Sequence, residues 1–229
     1  MEKFNWIKRF YEHRKEGETW ISVSDTIPNE FDDYFLIHWN VGIVENFPFD
    51  DFPENNDTIE QTNKRIRIAR EFGLFLNPNE DELFEQTTIE RIAEKFKVDY
   101  DYNVLNKIKQ TPAIKILEKP SKENLKSMLH KLSKNESLNF FIEDIFRYPI
   151  DDKPKQEMVN VSIDEYFKWQ EDFYFDYCTY LFPEDKNWCI MTSEGLPMFL
   201  CTKRETTERI EKDINMEIFK VGYNEKLYQ

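Results

Sequence analysis

Asp33-Tyr34-Phe35-Leu36-Ile37-His38-Trp39-Asn40-Val41-Gly42-Ile43-Val44 is the stretch on which the fold reading turns. Phe35, Ile37, Trp39, Val41 and Ile43 occupy alternate positions and are all apolar, whereas Tyr34, Leu36, His38 and Asn40 form a mixed set. Successive strand residues point to opposite sides of a sheet, so this alternation predicts one long strand over 33–44. On the N-terminal side, residues 2–15 place Phe4, Ile7, Phe10 and Tyr11 on one helical face, and Thr19–Ile27 reads as extended.

Downstream, helices announce themselves through capping boxes, in which an N-cap oxygen and the N3 side chain satisfy each other's orphan amides. Asp57-Thr58-Ile59-Glu60 opens one, with Ile66, Ala69 and Phe72 following at helical spacing; Thr87-Thr88-Ile89-Glu90 opens another, with Ile92, Ala93 and Phe96. Ser121 precedes a third, carrying Leu125, Met128, Leu129 and Leu132, while Ser162-Ile163-Asp164-Glu165 and Thr202-Lys203-Arg204-Glu205 open two more. Strands are expected at 113–117, 138–146, 157–161, 177–181, 187–192 and 197–203, the last two forming a hairpin around Ser193-Glu194-Gly195. Helices and strands mix without regular alternation or internal repeat. The expected class is therefore α+β, a mixed or antiparallel sheet with several packed amphipathic helices. The chain reads as a single domain over 1–229, with a loop or sub-domain boundary near 147–156.

Composition supports a packed core and narrows the function. Twenty Phe, eleven Tyr and five Trp among 229 residues supply large apolar surfaces, each worth about 150–250 Å² when buried. A formal charge of −14 repels phosphate backbones and anionic lipid and attracts basic surfaces, so free nucleic acid is not an expected partner. The N-terminus lacks a signal-peptide core, and no apolar run approaches the ~18 residues that cross a bilayer. Cys178, Cys189 and Cys201 are an odd set, which fits reduced thiols in the cytoplasm. The Asn-x-Ser/Thr matches at Asn56, Asn135 and Asn160 are then incidental.

Catalytic signatures are sparse. Ten and eleven residues separate the three cysteines, which matches no zinc spacing, and no His-Glu-x-x-His is present. Five glycines leave no phosphate-binding loop or dinucleotide fingerprint. The reading names no catalytic residue, no metal ligand and no cofactor. Two alternatives are carried beside it. His38, central in the best strand, could act as acid or base in a small-molecule enzyme. Residues 88–109 resemble a helix-turn-helix, although Lys97 or Val98 stands where a turn glycine is expected and Asp99 and Asp101 would repel phosphate. The clusters Asp151-Asp152-Lys153 and Glu184-Asp185-Lys186 have an acid-x-lysine order used in metal-dependent nucleases, but they lie beside prolines and recur by chance in so charged a chain.

The strongest binding signal lies directly after the decisive strand. Glu45-Asn46-Phe47-Pro48-Phe49-Asp50-Asp51-Phe52-Pro53-Glu54 gathers phenylalanines and acids in a proline-punctuated connection. Exposed aromatic anchors rimmed by carboxylates would suit a basic protein partner, so Glu45, Phe47, Phe49, Asp50, Asp51, Phe52 and Glu54 are the predicted partner-binding residues. In the last third, Leu181-Phe182-Pro183-Glu184-Asp185-Lys186-Asn187-Trp188-Cys189-Ile190 and Met198-Phe199-Leu200-Cys201 resemble bacterial immunity proteins of polymorphic toxin systems. The shared features are an acidic turn, a Trp-led strand and a returning apolar strand. The resemblance covers about a tenth of the chain and transfers no functional residue. It implies an acidic cytoplasmic inhibitor that occludes a toxin or nuclease domain.

Overall fold

A computed structural model describes residues 2–12, 22–38, 40–54, 58–76, 80–118, 122–134, 136–143, 157–173, 178–193, 197–210 and 216–226. Among them the strands are β1 (Asp33–Ile37), β2 (Asn40–Ile43), β3 (Glu85–Thr87), β4 (Ile114–Glu118), β5 (Leu138–Glu143), β6 (Glu157–Val161), β7 (Cys178–Pro183), β8 (Trp188–Thr192), β9 (Met198–Thr202) and β10 (Ile218–Val221). The helices are α1 (Asn5–Glu12), α2 (Ile59–Glu71), α3 (Ile89–Phe96), α4 (Val104–Lys107), α5 (Lys122–Ser133), α6 (Ile163–Phe173) and α7 (Arg204–Ile210). The fold is α+β with antiparallel sheets. It divides into two compact units, Met1–Ile37 with Lys122–Gln229, and the continuous segment His38–Ser121. The expected boundary near 147–156 lies outside the described residues.

The first unit is built on a seven-stranded sheet of order β10-β1-β9-β8-β7-β5-β6 with antiparallel neighbours. The register aligns Phe35, Leu200, Ile190, Leu181 and Phe140 in one row across five strands. That row packs with Leu125, Met128, Leu129 and Leu132 of α5, Tyr166 and Phe167 of α6 and Ile210 of α7. Leu36, Phe199, Met191, Tyr180 and Phe141 form the neighbouring row on the opposite face. The N-terminal segment covers it: Phe4 lies 5.8 Å from Phe141 and from Phe182, and Trp6 lies 5.2 Å from Phe182. Burial on both faces explains why β7, β8 and β9 are nearly continuous apolar runs.

The decisive stretch is not one strand. β1 ends at Ile37, which pairs with Met198 at the start of β9 and with Ile218 at the start of β10. Beyond that residue neither neighbour offers a further row, and backbone groups left unpaired in a protein interior are costly. The chain therefore changes sheets, and β2 becomes the central strand of a three-stranded sheet of order β3-β2-β4 in the second unit. Gly42 is required there, because a Cβ would sit 2.6 Å from the Leu117 side chain. The mixed face of β1 is also buried, Tyr34 and Leu36 packing as deeply as Phe35.

Several local readings shift by small amounts. Residues 23–25 form a 3-10 turn and not extended chain. The caps of α2 and α3 are Thr58 and Thr88, one residue later than the boxes predicted, each accepting from the N3 amide. The cap of α6 is as expected, with Ser162 and Glu165 bonded reciprocally. Helix α7 is capped from a distance: the Arg204 amide donates to Asp32 Oδ2 at 3.0 Å, and Thr207 donates to Asp33 Oδ2 at 2.7 Å. Thr202, the expected local cap, instead lies in β9 with its hydroxyl bonded to that of Thr207.

Candidate functional site

The acidic-aromatic connection runs from β2 toward α2 in the second unit. The Val44 amide donates to the Ala113 carbonyl at 2.8 Å, and Asn46 turns the chain with φ of 59°. The amides of Asp51 and Phe52 then both donate to the Pro48 carbonyl, at 3.1 and 3.0 Å. This tight turn sends the three phenylalanines inward. Phe47 lies 5.1 Å from Phe49 and 5.2 Å from both Phe52 and Phe72, and Phe49 meets Phe96 edge-on at 5.1 Å. All three belong to a core with Ile68, Leu74 and Ala113. They are thus not surface anchors: burial of a Phe inside its own fold outweighs any benefit of holding it out for a partner. Glu45, Asp50, Asp51 and Glu54 remain exposed. Among the described residues none of the four carries an ion pair.

The alternative sites come out differently from the sequence reading. His38 Nε2 lies 3.0 Å from the Tyr102 carbonyl, which can only accept, so that nitrogen carries the proton and is not a base. Neither of the two clefts described below is lined by His38. In the 88–109 region α3 is sound, but α4 is a single turn, Val104–Lys107, too short to serve as a recognition helix. Lys97 adopts the left-handed conformation with φ of 55° in place of the missing glycine. Asp185 Oδ1 accepts the Asn187 amide at 3.1 Å and Glu184 pairs with Lys3, so this cluster closes a turn. Asp151 and Asp152 lie outside the described residues, as do His13 and Trp39. His130 is exposed near the end of α5.

Cys178, Cys189 and Cys201 are free and buried, with Cys189 directly opposite Cys201 across β8 and β9. Burial pushes the Cys189 and Cys201 thiols up, so they stay protonated and behave as small apolar residues. Tyr180 donates to the Thr26 carbonyl at 2.6 Å and lies 2.7 Å from the Tyr11 hydroxyl; burial raises both phenols. No group of three His, Cys, Asp or Glu side chains converges to hold a metal among the described residues. No described helix is long and apolar enough to cross a membrane. The residues carrying the immunity-protein resemblance form β7, β8, β9 and the turn between the first two, with Trp188 only 1% exposed in the core.

One feature of the second unit escapes the sequence reading. A cleft of ≈ 350 Å³ is lined by Phe52, Thr62, Arg65, Ile66, Phe75 and Gln110 together with Thr111 and Pro112. A smaller one, ≈ 210 Å³, lies between α4 and β4 around Ile108, Lys109 and Ile114. Ile66, expected on the buried face of α2, is 38% exposed. The available signal was Ile59 and Ile66 two turns apart, followed by Phe75-Leu76 just beyond Gly73. No family model, no curated protein and no solved structure matches the chain.

Proposed function

We propose that this is an acidic, non-enzymatic binding protein of the immunity type, which neutralises a basic partner such as a toxin or nuclease domain in the cytoplasm. The observation that supports this reading best is the turn over 45–54. Its backbone is fixed by the buried Phe47, Phe49 and Phe52, while Glu45, Asp50, Asp51 and Glu54 are exposed and carry no ion pair among the described residues. Carboxylates held in place before contact lose little entropy on binding. A net charge of −14 extends their attraction outward, raising the encounter rate with a basic surface. The rim contributes charge and orientation, and the phenylalanines beneath contribute rigidity.

The test is comparative capture from the source organism's lysate, using the native protein and the double variant Asp50→Lys/Asp51→Lys as baits at low and moderate salt. The expected result is one basic protein retained by the native bait and reduced about tenfold or more on the variant, with an association rate that falls steeply as salt rises. Equal retention on both baits, or no basic protein on either, overturns the reading. Both positions are exposed, so thermal unfolding of the variant should match the native protein.

A further inference from the structure

We infer that α2 and the turn that follows it form a second docking surface, which takes an acidic amphipathic segment of a protein partner. This goes beyond the proposed binding of a basic partner at 45–54 and does not depend on it. Ile59 is 81% exposed, Phe75 61%, Leu76 62% and Ile66 38%, so four large apolar side chains face solvent on one helix and its C-terminal turn. Ile66 and Phe75 also line the ≈ 350 Å³ cleft, with Phe52 in its wall and Thr62, Gln110 and Thr111 as polar lining. An apolar groove with a few polar groups is the usual form of a peptide site read by spaced anchors.

Phe75 is held outward at a cost. Helix α2 closes with a Schellman arrangement: the Leu74 amide donates to the Ala69 carbonyl and the Gly73 amide to the Arg70 carbonyl, both at 3.0 Å. Gly73 takes φ of 78° without penalty, but Phe75 takes φ of 70°, a left-handed conformation that bulky side chains rarely adopt. Strain of this kind gathers at binding sites, where the orientation it enforces is used.

Charge selects the occupant. At 100° per residue Ile59, Thr62 and Ile66 fall within about 60° of arc on α2. Arg65 and Arg70 border this stripe, one on each side, while Glu60 and Glu71 lie roughly 130–150° round the helix from its centre. The Arg65 guanidinium also sits 5.5 Å above the Phe52 ring, at the cleft itself. A segment with apolar anchors at helical spacing and carboxylates beside them would satisfy both the stripe and its border. A nucleic acid would gain little from Ile59, Ile66 and Leu76, whose apolar side chains match no phosphate or sugar. A second copy in a two-fold contact would bring Arg65 and Arg70 against their own images.

The experiment is selection of displayed random peptides on the full-length protein, with counter-selection on Ile66→Asp. A representative selected peptide is then measured by fluorescence anisotropy. Enriched peptides should carry paired apolar anchors and an excess of Asp and Glu. Their affinity should fall about tenfold or more in Ile66→Asp and in Arg65→Glu/Arg70→Glu, and should not fall in Asp50→Lys/Asp51→Lys, which only makes the protein less acidic. That last variant separates this surface from the acidic turn, because a failure of either leaves the other's result standing. Phe75→Gly, which keeps the turn and removes the anchor, provides a second variant should Ile66→Asp fold poorly. Enrichment of basic peptides, absence of enrichment, or binding insensitive to both Ile66→Asp and Phe75→Gly overturns the inference. So does binding of an oligothymidylate strand, or self-association in sedimentation that Ile66→Asp abolishes.

Discussion

The two units treat apolar side chains in opposite ways. In Met1–Ile37 with Lys122–Gln229, a seven-stranded sheet is covered on both faces, and none of the described large hydrophobic residues is exposed. In His38–Ser121 a three-stranded sheet of short strands supports a smaller core, and Ile59, Ile66, Phe75, Leu76, Tyr100 and Ile116 are all exposed. The same unit holds both the carboxylate turn and the cleft beside α2. A scaffold that hides its hydrophobics and an inserted segment that displays them is a division between stability and recognition. The difference should be measurable as a difference in what substitution costs.

The largest expected effect lies in the first unit. Phe140 is fully buried in the central row of the large sheet and contacts Tyr166 and Trp169 edge-on at 5.3 and 5.0 Å. Phe140→Ala should destabilise the protein by about 3–5 kcal/mol in urea unfolding followed by circular dichroism. Ile66→Ala, at an exposed apolar position of the second unit, should change stability by no more than about 0.5 kcal/mol. If the two substitutions cost the same, the division of labour between the units is wrong.

A smaller effect should reveal how the scaffold holds α7. Asp33 sits at the start of β1, where it accepts a hydrogen bond from Thr207 and pairs with Lys220. Burial alone would raise its carboxyl, but the bonds from Lys220 and Thr207 outweigh burial and hold it below the usual range. A carboxylate depressed on folding contributes stability above its unfolded pKa of about 4, and that contribution is lost as pH falls through the folded value. Asp33→Asn should therefore cost about 1–3 kcal/mol at neutral pH and flatten the loss of stability below about pH 4. An unchanged slope of stability against pH in the variant would show that this carboxylate does not titrate with folding.

How much of this could be read in the sequence depends on how local each cause is. Helix caps are local, and Ser162 with Glu165 was legible outright; Thr58 and Thr88 were displaced by one residue because two capping residues stand side by side at 57–58 and 87–88. The break after Ile37 was not legible, since the alternation from Phe35 to Ile43 runs through it and no Gly or Pro stands between Ile37 and Asn40. It arises because β9 and β10 offer no row beyond Ile37, a fact held some 160 to 180 residues away in the chain. The same holds for α7, whose cap comes from Asp32. At 45–54 the residues themselves were legible but not their directions, because only the cavity left by Ile68, Phe72 and Phe96 decides that the phenylalanines turn inward.

The smallest effect is the one that separates the two roles most cleanly. Phe75 and Lys97 both occupy the left-handed region, at φ of 70° and 55°, and both follow helices of the second unit. Glycine adopts this conformation without the Cβ clash of roughly 1–2 kcal/mol, although it loses about 0.5–1 kcal/mol through the greater freedom of the unfolded chain. Lys97→Gly and Phe75→Gly should each therefore raise stability by about 0.5–1 kcal/mol in chemical denaturation. Their effects on binding should diverge. Lys97 ends α3, away from the residues lining the cleft, and its replacement should leave capture of acidic amphipathic peptides unchanged. Phe75 lines the cleft, and its replacement should weaken that capture about tenfold while the protein becomes more stable. Gain of stability with loss of binding at one position, beside gain alone at the other, is what a strained anchor predicts. Loss of stability in Phe75→Gly would instead mean that Phe75 supports the fold, and the exposed stripe of α2 would then have to be explained without it.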